Sequence, residues 1–444
     1  MTRRFHLTTF GCQMNEHDSE RMKGMLDSLG YEEAAAAGDA ELLLFNTCSI
    51  REKADSRFIA HLRQAAAQKR SRPGTVIGVG GCWAQSVKDQ VFRDFPFVDV
   101  AFGPGQVHKL GEFLTTDQIT AQGYFEFEGF TGHLPAKRER DFSAWMQIAV
   151  GCNMACSYCI VPSTRGRQVS RPGPELVAEA RELVADGVRE ITLLGQNVNA
   201  YGRDLEAGPA RTTFAGLLGE LDAIDGLARI RYTSPHPQDF KEDVVRAHAE
   251  LESLAPHLHL PLQSGSSTVL KAMRRTYDRG RFMDRVALIR EHCPDIAITT
   301  DIIVGFPGET DADFAETLEV CEKVGFDGAF TFVYSPRRET EAATFADRFV
   351  DEQVASERIA ALVELIQRRA RDRAQRFVGR TLDVLVEGTS RTDPSRLRGR
   401  TGHNKVVNFE GVASPGQIVP VTITSASSQT LSGELSLLAS AAAR

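Results

Sequence analysis

The sequence has no run of apolar residues near the roughly 20 that a membrane-spanning helix needs. Its first residues, MTRRFHLTTFGCQ, contain no apolar stretch as long as that of a signal peptide. Only eight cysteines occur among 444 residues. We therefore expect a cytoplasmic protein that makes no contact with a membrane. In that reducing compartment, grouped cysteines bind metal or take part in catalysis more often than they form disulfides.

The segment VGCNMACSYCIVP (150–162) lacks a fourth cysteine, although it contains three, at Cys152, Cys156 and Cys159. Iron–sulfur clusters and structural zinc sites usually take four protein ligands. A Cys-x3-Cys-x2-Cys loop can bind three irons of a 4Fe-4S cluster and leave the fourth iron open to a substrate or cofactor. The nearest downstream histidine, His236, is too remote in sequence to complete a zinc motif. The loop therefore predicts a cluster with an open iron.

The first 125 residues repeat one pattern, in which a short apolar strand ends at a cysteine and a helical stretch follows. The segments FHLTTFGC, ELLLFNTC and TVIGVGGC end at Cys12, Cys48 and Cys82. Strands that alternate with helices form parallel sheets, whose carboxyl ends share the edge where ligands bind. We therefore predict an N-terminal α/β domain with a parallel sheet over residues 1–125, in which the three cysteines lie together.

The remaining chain divides into an alternating α/β part and a β-rich part. Residues 138–374 contain six candidate strands: MQIAV, EITLLG, RIRYT, HLHLPL, IAITTDIIVG and AFTFVYS. They predict a partial barrel of the (β/α)6 kind, with the cysteine loop at the mouth because it follows the first strand. Residues 377–440 predict a small antiparallel β barrel on the scale of an OB-fold.

Positive charge is concentrated near the third part, although the whole chain has a net charge of −7. Residues 368–405 hold ten arginines and one lysine against four acidic residues. Such asymmetry is typical of a polyanion-binding region on an acidic protein. We predict that the β barrel contacts an RNA backbone through Arg396, Arg398, Arg400 and Lys405.

Together these features resemble the radical S-adenosylmethionine (radical SAM) methylthiotransferases. The three-cysteine loop after the first strand of a partial barrel is the signature of the radical SAM superfamily. An N-terminal domain with three separated cysteines and a terminal TRAM-like β barrel narrows the resemblance to the methylthiotransferases. The segments TTFGCQMNEHDSE, LLLFNTCSIREKA, LLGQNVNAYG and IIVGFPGET match that family, and the first is especially close to its MiaB branch. The resemblance covers nearly the whole chain.

The resemblance implies an enzyme that adds a methylthio group to carbon-2 of an isopentenylated adenosine next to the anticodon of tRNA. It implies SAM and two 4Fe-4S clusters, with one SAM methylating the sulfur and a second supplying a 5′-deoxyadenosyl radical. The SAM-binding cluster would use the cysteines of the loop, and an auxiliary sulfur-carrying cluster would use Cys12, Cys48 and Cys82. The expected partners are tRNA, a sulfur source and a low-potential electron donor such as flavodoxin or ferredoxin.

Further residues are assigned by their position in the family's pattern, and none beyond the cluster ligands is expected to be catalytic. Arg165, in VPSTRG, matches a basic position and is expected to face the RNA. The expected contacts of SAM are Tyr158, Gln196, Asn197, Val304 and Gly305.

Two other functions remain open at this point. A RimO-like enzyme that modifies an aspartate of a ribosomal protein would share all the metal chemistry. The residues Gln13, Met14 and Asn15 and the segment GRTGHNKVVNFEG favour the MiaB branch. A non-catalytic iron–sulfur or zinc-stabilised RNA-binding protein would not bind SAM.

Overall fold

The computed structural model describes residues 3–48, 52–115, 123–125, 134–208 and 211–436. The predicted domain limit at residue 125 adjoins segment 126–133, and the predicted limit at residue 440 falls within segment 437–444. Both segments lie outside the described residues. Within the described ranges, no helix combines the length and apolar character needed to cross a membrane.

The N-terminal part is one parallel sheet with helices on both faces. Its strands are β1 (Arg4–Phe10), β2 (Glu32–Glu33), β3 (Leu42–Thr47), β4 (Val76–Gly81), β5 (Val100–Phe102) and β6 (Gly123–Phe125). Its helices are α1 (Gln13–Ser28), α2 (Glu52–Ser71), α3 (Cys82–Val87), α4 (Gln90–Asp94) and α5 (Leu110–Thr115). The strand order is β2-β1-β3-β4-β5-β6, and every pair is parallel. The predicted N-terminal parallel sheet is confirmed.

The central part forms two three-stranded parallel sheets around one apolar core. Its strands are β7 (Ser143–Gln147), β8 (Ala149–Val150), β9 (Val169–Ser170), β10 (Glu190–Leu194), β11 (Arg229–Tyr232), β12 (His257–His259), β13 (Ala297–Val304) and β14 (Gly328–Val333). Its helices are α6 (Val161–Arg165), α7 (Gly173–Ala185), α8 (Phe214–Asp222), α9 (Glu242–Glu250), α10 (Ser267–Ala272), α11 (Arg279–His292), α12 (Asp311–Val324) and α13 (Glu352–Ala374).

The strand order within the central part agrees with a partial barrel, but the hydrogen bonding between strands is interrupted between β11 and β12. The two sheets have the orders β11-β10-β7 and β12-β13-β14. Between β11 and the segment before β12 only one bridge, Ile230 to Leu254, is present among the described residues. The six strands that the sequence predicted all appear, in the predicted order.

Short polar side chains begin five of these helices. The caps are Thr213, Ser266, Asp278, Thr310 and Asp351, each of which accepts a hydrogen bond from a backbone N–H of the first turn. These groups satisfy N–H donors that have no partner inside the helix. The helices therefore start at defined residues, which fixes the loops at the mouth of the barrel.

The C-terminal part is a closed five-stranded barrel. Its strands are β15 (Thr381–Thr389), β16 (Leu397–Thr401), β17 (Val406–Glu410), β18 (Ile418–Ala426) and β19 (Thr430–Leu435). They close in the order β15-β16-β17-β19-β18 around Val384, Phe409 and Val421. Four pairs are antiparallel as predicted, whereas β17 and β19 are parallel, because β18 lies between them in the chain but not in the barrel.

Two arginines of β11 attach this small barrel to the central part. Arg231 donates to the carbonyl oxygens of Gly402 (2.9 Å) and Thr401 (2.8 Å), and its Nε donates to Glu190 (2.8 Å). Arg229 donates to two further carbonyls of the small barrel at 2.7 Å each. Both arginines are buried. Hydrogen bonds from a charged donor are stronger than neutral ones, so the small barrel is held in a fixed orientation.

Candidate functional site

The first cysteine trio lies at the carboxyl edge of the N-terminal sheet. Cys12 directly precedes α1, Cys48 follows β3, and Cys82 is the first residue of α3 after β4. Strands β1, β3 and β4 are adjacent and parallel, so their carboxyl ends meet. The backbone N–H of Cys48 donates to Phe10 O at 2.7 Å, which holds two of the strand ends together.

Gly81 brings β4 close to β3 just before Cys82. Its φ is +97°, and a Cβ there would lie 2.4 Å from Thr47 O. Only glycine adopts this backbone conformation without strain and also permits the close approach. The sequence GGC therefore sets the position of Cys82 beside the end of β3.

A buried amide network supports the same edge. Asn46 donates to Asn15 O (2.8 Å) and to Ser19 Oγ (2.9 Å). Asn15 donates to Asn46 Oδ1 (3.2 Å) and accepts from the backbone N–H of Cys12 (3.3 Å). Asn15 and Asn46 have no exposed surface. A fully bonded buried network defines one arrangement of its members, so it fixes the start of α1, and with it Cys12, against β3.

The Cys12 thiol is set up to ionise. A side-chain hydrogen bond with Cys48 is the main reason why the pKa of Cys12 is lowered to about 6, against the opposing effect of burial. The Arg165 charge and the backbone N–H groups of Asn15 and Met14 lower the pKa further. The thiolate is the form that binds metal. Burial raises the pKa of Cys82, with Arg165 acting against that rise, and metal binding would deprotonate this thiol.

The second trio lies in the loop after β8. Gly151 has φ +78°, and a Cβ there would lie 2.2 Å from Arg167 O, so glycine is required. The Cys152 N–H donates to Gly166 O (3.1 Å), and the Cys159 N–H donates to Cys156 O (3.1 Å). The first bond thus folds the loop back on itself, and the second places Cys156 and Cys159 in one turn.

Polar groups also reach the sulfurs of this second trio. The backbone N–H of Met154 donates to Cys152 Sγ at 3.4 Å, and Arg275 Nη1 donates to Cys156 Sγ at 3.3 Å. Burial raises the pKa of Cys152, and it raises that of Cys159 to about 12. These thiols therefore stay protonated unless a metal displaces the proton.

The donor chemistry of both trios fits an iron–sulfur cluster with one open iron. In the described ranges, no three His, Cys, Asp or Glu side chains form a group that could hold a single metal ion. A 4Fe-4S cluster takes each thiolate on a different iron, so its ligands need not converge on one point. Three thiols at the edge of a sheet and three in a tight loop suit such a cluster.

Arg165 reaches the first trio from the segment that follows the second trio. It ends α6 shortly after Cys159, and its Nε donates to Cys82 Sγ at 3.3 Å while its Nη2 pairs with Asp18 at 2.8 Å. Arg165 and Asp18 are each 3% exposed. Burial tends to lower the pKa of Arg165, but Cys82, Asp18 and Cys12 outweigh it and raise that pKa, so the guanidinium stays charged. The sequence predicted an RNA-facing Arg165; the structure instead buries it between the domains, where Asp18 and Cys82 take its donors.

Beside Cys152, a polar pocket follows β10. Gln196 Oε1 accepts from the Gly151 N–H at 2.5 Å, and Asn197 Nδ2 donates to Asp239 at 2.9 Å. The remaining amide atoms, Gln196 Nε2 and Asn197 Oδ1, are buried and have no hydrogen-bond partner among the described residues. Unsatisfied buried polar atoms are costly, and here they fit the amino and carboxylate groups of a bound amino acid such as the methionine part of SAM.

His236 adds a neutral donor or acceptor to this pocket. Burial is the main cause that lowers the pKa of His236 to about 3, and Arg275 and Arg203 lower it further against Asp239. Its Nε2 is buried and has no partner in the described part of the chain. Asn199 fixes its backbone by accepting from the His236 N–H at 2.7 Å and donating to His236 O at 3.0 Å. From the sequence, His236 was considered only as a zinc ligand and set aside, so its place beside these amides was not predicted.

The Asn197→Ala substitution tests this pocket. It removes the donor to Asp239 and the unsatisfied carbonyl, and a lost hydrogen bond to a charged group costs about 1.5–3 kcal/mol. We expect the KM for SAM to rise by about 10-fold to 100-fold. The measurement is 5′-deoxyadenosine formation against SAM concentration. Gln238→Ala, at an exposed amide on the loop of Asp239, is the control. An unchanged KM in Asn197→Ala would remove this residue from the SAM site.

The other three predicted SAM contacts lie around one loop. The Tyr158 ring contacts the Phe306 ring edge-on, with centroids 6.5 Å apart, so Tyr158 lies near the loop after β13. In that loop Val304 is fully buried. Gly305 has φ +70° and donates its N–H to Glu309 at 2.7 Å. The structure thus brings Tyr158 and the turn at Gly305 to the same side of the barrel mouth.

The four predicted RNA contacts of the small barrel differ in exposure. Arg398 and Arg400 both pair with Glu387, at 3.3 and 3.1 Å, and Arg396 pairs with Glu410 at 3.2 Å. These three side chains remain partly exposed. Lys405 is buried and donates to Asp327 O at 2.6 Å. The sequence predicted that Lys405 contacts RNA. In the structure its ammonium group instead attaches the small barrel to the central part.

Three family models match the chain in succession. They are Uncharacterized protein family UPF0004 at residues 4–103, the Radical SAM superfamily at 146–321 and the TRAM domain at 375–436. The first model covers the sheet with Cys12, Cys48 and Cys82. The second covers the three-cysteine loop, and the third covers the closed small barrel.

Curated relatives match almost the whole chain. A protein of Acidothermus cellulolyticus is 47% identical over 96% of this chain and 86% of its own length. Relatives of Streptomyces coelicolor and of Thermoanaerobacter sp. are 45% and 42% identical, over 98% and 97% of this chain and 88% and 92% of their own lengths. All three are named tRNA-2-methylthio-N(6)-dimethylallyladenosine synthase.

Solved structures share the fold at low sequence identity. The radical SAM methyltransferase TsrM of Kitasatospora setae superposes with a TM-score of 0.57 at 15% identity and covers 77% of each chain. The apo form of the cobalamin-dependent radical SAM enzyme OxsB gives a TM-score of 0.52 at 10% identity, over 80% of this chain and 56% of its own.

The parallel sheet, the partial barrel with its cysteine loop and the closed small barrel define a radical SAM enzyme with a TRAM domain. Such an enzyme uses SAM and 4Fe-4S clusters. With relatives at 42–47% identity over nearly its full length, the chain belongs to the tRNA-2-methylthio-N(6)-dimethylallyladenosine synthase family, the MiaB methylthiotransferases. The resemblance and the fold class that the sequence predicted are confirmed.

Proposed function

We propose that this chain adds a methylthio group to carbon-2 of an isopentenylated adenosine next to the anticodon of tRNA. The contact between Arg165 and Cys82 carries the proposal, because Arg165 follows Cys159 closely in the chain and so holds the segment after the second trio against the first trio. A site that inserts sulfur by radical chemistry needs its sulfur donor and its radical source at one substrate atom. Packing of these two cysteine-bearing segments against each other supports that arrangement.

The six cysteines are the proposed cluster ligands. Cys12, Cys48 and Cys82 hold the auxiliary cluster that carries the sulfur, and Cys152, Cys156 and Cys159 hold the cluster that binds SAM. When bound, the clusters would pass on the electron and carry the sulfur, one SAM would supply the methyl group, and a second SAM would supply the 5′-deoxyadenosyl radical that removes hydrogen from carbon-2.

The protein's own residues position these groups. Gln196, Asn197 and His236 offer buried polar atoms to the methionine part of SAM. The contact of Tyr158 with Phe306, beside the turn at Gly305, supports a role of both in packing against its adenosine. Arg165 keeps the auxiliary site in contact with the barrel through Asp18.

In this proposal each of the three parts of the chain has its own function. Residues 1–125 carry the auxiliary cluster, residues 138–374 form the radical SAM core, and residues 377–440 bind RNA. A low-potential donor such as flavodoxin or ferredoxin supplies electrons, and a separate source supplies sulfur. The cytoplasm is the proposed location, because free thiols and reduced clusters persist in a reducing compartment.

Analysis of tRNA nucleosides tests the proposed function. Cells lacking the chain are expected to lose the methylthio nucleoside and to accumulate isopentenyladenosine, as measured by mass spectrometry. Expression of the native chain should restore the product, and expression of Cys152→Ala should not. An unchanged nucleoside profile would contradict a tRNA substrate, and a missing methylthio group on a ribosomal-protein aspartate would then identify the RimO-like function.

The basic face of the small barrel yields a second test. Arg398→Ala removes one partly exposed positive charge, so tRNA affinity should fall and the slope of log Kd against log salt should decrease by about one. The measurement is tRNA binding at several salt concentrations. The control is Arg246→Ala, which also removes one positive charge, at an exposed arginine of α9 paired with Glu242. Equal slopes for Arg398→Ala and the native chain would exclude a phosphate contact there.

A further inference from the structure

Among the described residues, an arginine donates to one sulfur of each cysteine trio. Arg165 Nε lies 3.3 Å from Cys82 Sγ, and Arg275 Nη1 lies 3.3 Å from Cys156 Sγ. Neither arginine was assigned to a cluster from the sequence. The two contacts have equal lengths, but they differ in where the arginine comes from. Arg275 belongs to the same part of the chain as Cys156. Arg165 belongs to the central part and reaches Cys82 across the domain interface.

Arg165 is held rigidly in this position. Its Nη2 pairs with Asp18 at 2.8 Å, and both side chains are buried. The next residue, Gly166, accepts from the Cys152 N–H at 3.1 Å, which closes the loop that carries the second trio. The guanidinium is therefore held by Cys82 and Asp18, while the backbone of the next residue is bonded to the loop of Cys152.

Arg275 is held by a different partner. Its Nε donates to the hydroxyl of Tyr277 at 3.2 Å, and that hydroxyl donates to Pro261 O at 2.9 Å. The guanidinium also lies over the Tyr277 ring, 5.1 Å from its centroid. These contacts direct Nη1 toward Cys156 and away from solvent.

A cluster bound by thiolates gains negative charge when it is reduced. Hydrogen bonds to the cysteine sulfurs and nearby net charge are known to set the reduction potential of such clusters. A fixed positive charge stabilises the reduced form more than the oxidised form, and the effect is larger where water is excluded. Each arginine should therefore raise the potential of the cluster whose sulfur it contacts.

We propose that Arg165 and Arg275 are positioning residues that separately set the reduction potentials of the auxiliary and SAM-binding clusters, each through one cysteine sulfur. The proposal rests on the two-cluster assignment made above. Since Arg165 comes from the radical SAM core, the auxiliary cluster has its full complement of contacts only when the N-terminal domain is docked on the barrel.

Two full-length variants separate the clusters for measurement. The auxiliary-only chain carries Cys152→Ala, Cys156→Ala and Cys159→Ala, and the SAM-cluster-only chain carries Cys12→Ala, Cys48→Ala and Cys82→Ala. Arg165→Met and Arg275→Met are introduced into each chain. The readouts are the iron content and the midpoint potential, obtained by redox titration followed by electron paramagnetic resonance.

Each substitution is expected to change the reduction potential of one cluster only. Arg165→Met should shift the potential to more negative values in the auxiliary-only chain and leave it unchanged in the other chain. Arg275→Met should do the reverse. Arg165→Lys, which keeps the charge, should give a potential between those of the parent and Arg165→Met. Arg167→Met, at an exposed arginine in the loop of Arg165, should change neither potential.

The other possible results either contradict or support the proposal. Unchanged potentials at full iron content, or equal shifts in both chains, would overturn it. If Arg165→Met loses iron from the auxiliary-only chain while the SAM-cluster-only chain keeps its iron, the dependence of the auxiliary site on Arg165 is supported. An auxiliary-only parent chain that binds no iron would refute the two-cluster assignment itself, and the proposal with it.

Discussion

Replacement of Cys152 by alanine is expected to abolish both SAM cleavage and methylthio product. Cys152 is one of three thiols in a loop without a fourth, and its N–H is bonded to Gly166 O at 3.1 Å. With two thiolates the loop can no longer hold a cluster that leaves one iron for SAM. Changes in groups outside the ligand set of a metal typically cost 10–100-fold in affinity or activity, and we expect loss of a ligand to exceed about 100-fold.

The measurement for Cys152→Ala is 5′-deoxyadenosine release and methylthio product from one reaction, after anaerobic reconstitution with iron and sulfide. Cys293→Ala is the matched control, because Cys293 is partly buried against the core and donates weakly to Val245 O at 3.9 Å. Cys293→Ala should keep both activities. Any substantial SAM cleavage by Cys152→Ala would contradict the assignment of this loop.

Replacement of Cys12 by alanine is expected to separate the two activities. Cys12 belongs to the edge of the N-terminal sheet and contacts Cys48, whereas the SAM-binding loop has its own three cysteines. Cys12→Ala should therefore keep SAM cleavage to 5′-deoxyadenosine within about 10-fold of the native rate and lose the methylthio product by more than about 100-fold.

The same two products measured for Cys12→Ala test this division of labour. The iron content should fall to that of one cluster, and the circular dichroism spectrum should match that of the native chain. If Cys12→Ala lost SAM cleavage as completely as Cys152→Ala while it remained folded, the two clusters could not have separate tasks.

The sequence was sufficient to predict features that depend on local pattern and on sheet topology. Cys12, Cys48 and Cys82 each end an apolar strand, and parallel strands that are adjacent must bring such residues together. The Cys152 loop has fixed spacing, and it needs no long-range contact to be recognised. The strand order of the barrel followed from the alternation of strands and helices.

Features that depend on contacts between distant segments could not be predicted in this way. Arg165 looked like a surface residue beside other polar residues, and only the docking of α1 on the barrel gives it Asp18 as a partner. Arg275 lies in a basic stretch, RRTYD, whose direction toward Cys156 depends on Tyr277. Lys405 resembled the other basic residues of the small barrel until the docking of that barrel buried it.

The strand pairings show the same limit. The sequence predicted an antiparallel small barrel, but the parallel pairing of Val406 with Thr430 arises from closure of the barrel, which local pattern does not report. Likewise, the pattern of the apolar strands does not predict the break between β11 and β12.

Transfer of deuterium from the substrate base tests whether the 5′-deoxyadenosyl radical removes hydrogen from carbon-2. The reconstituted full-length chain would be supplied with SAM, an electron donor and a tRNA anticodon stem-loop carrying deuterium at carbon-2 of its isopentenylated adenosine. We expect deuterium to appear in 5′-deoxyadenosine in step with the methylthio product. Formation of that product with 5′-deoxyadenosine free of deuterium would contradict the proposed reaction.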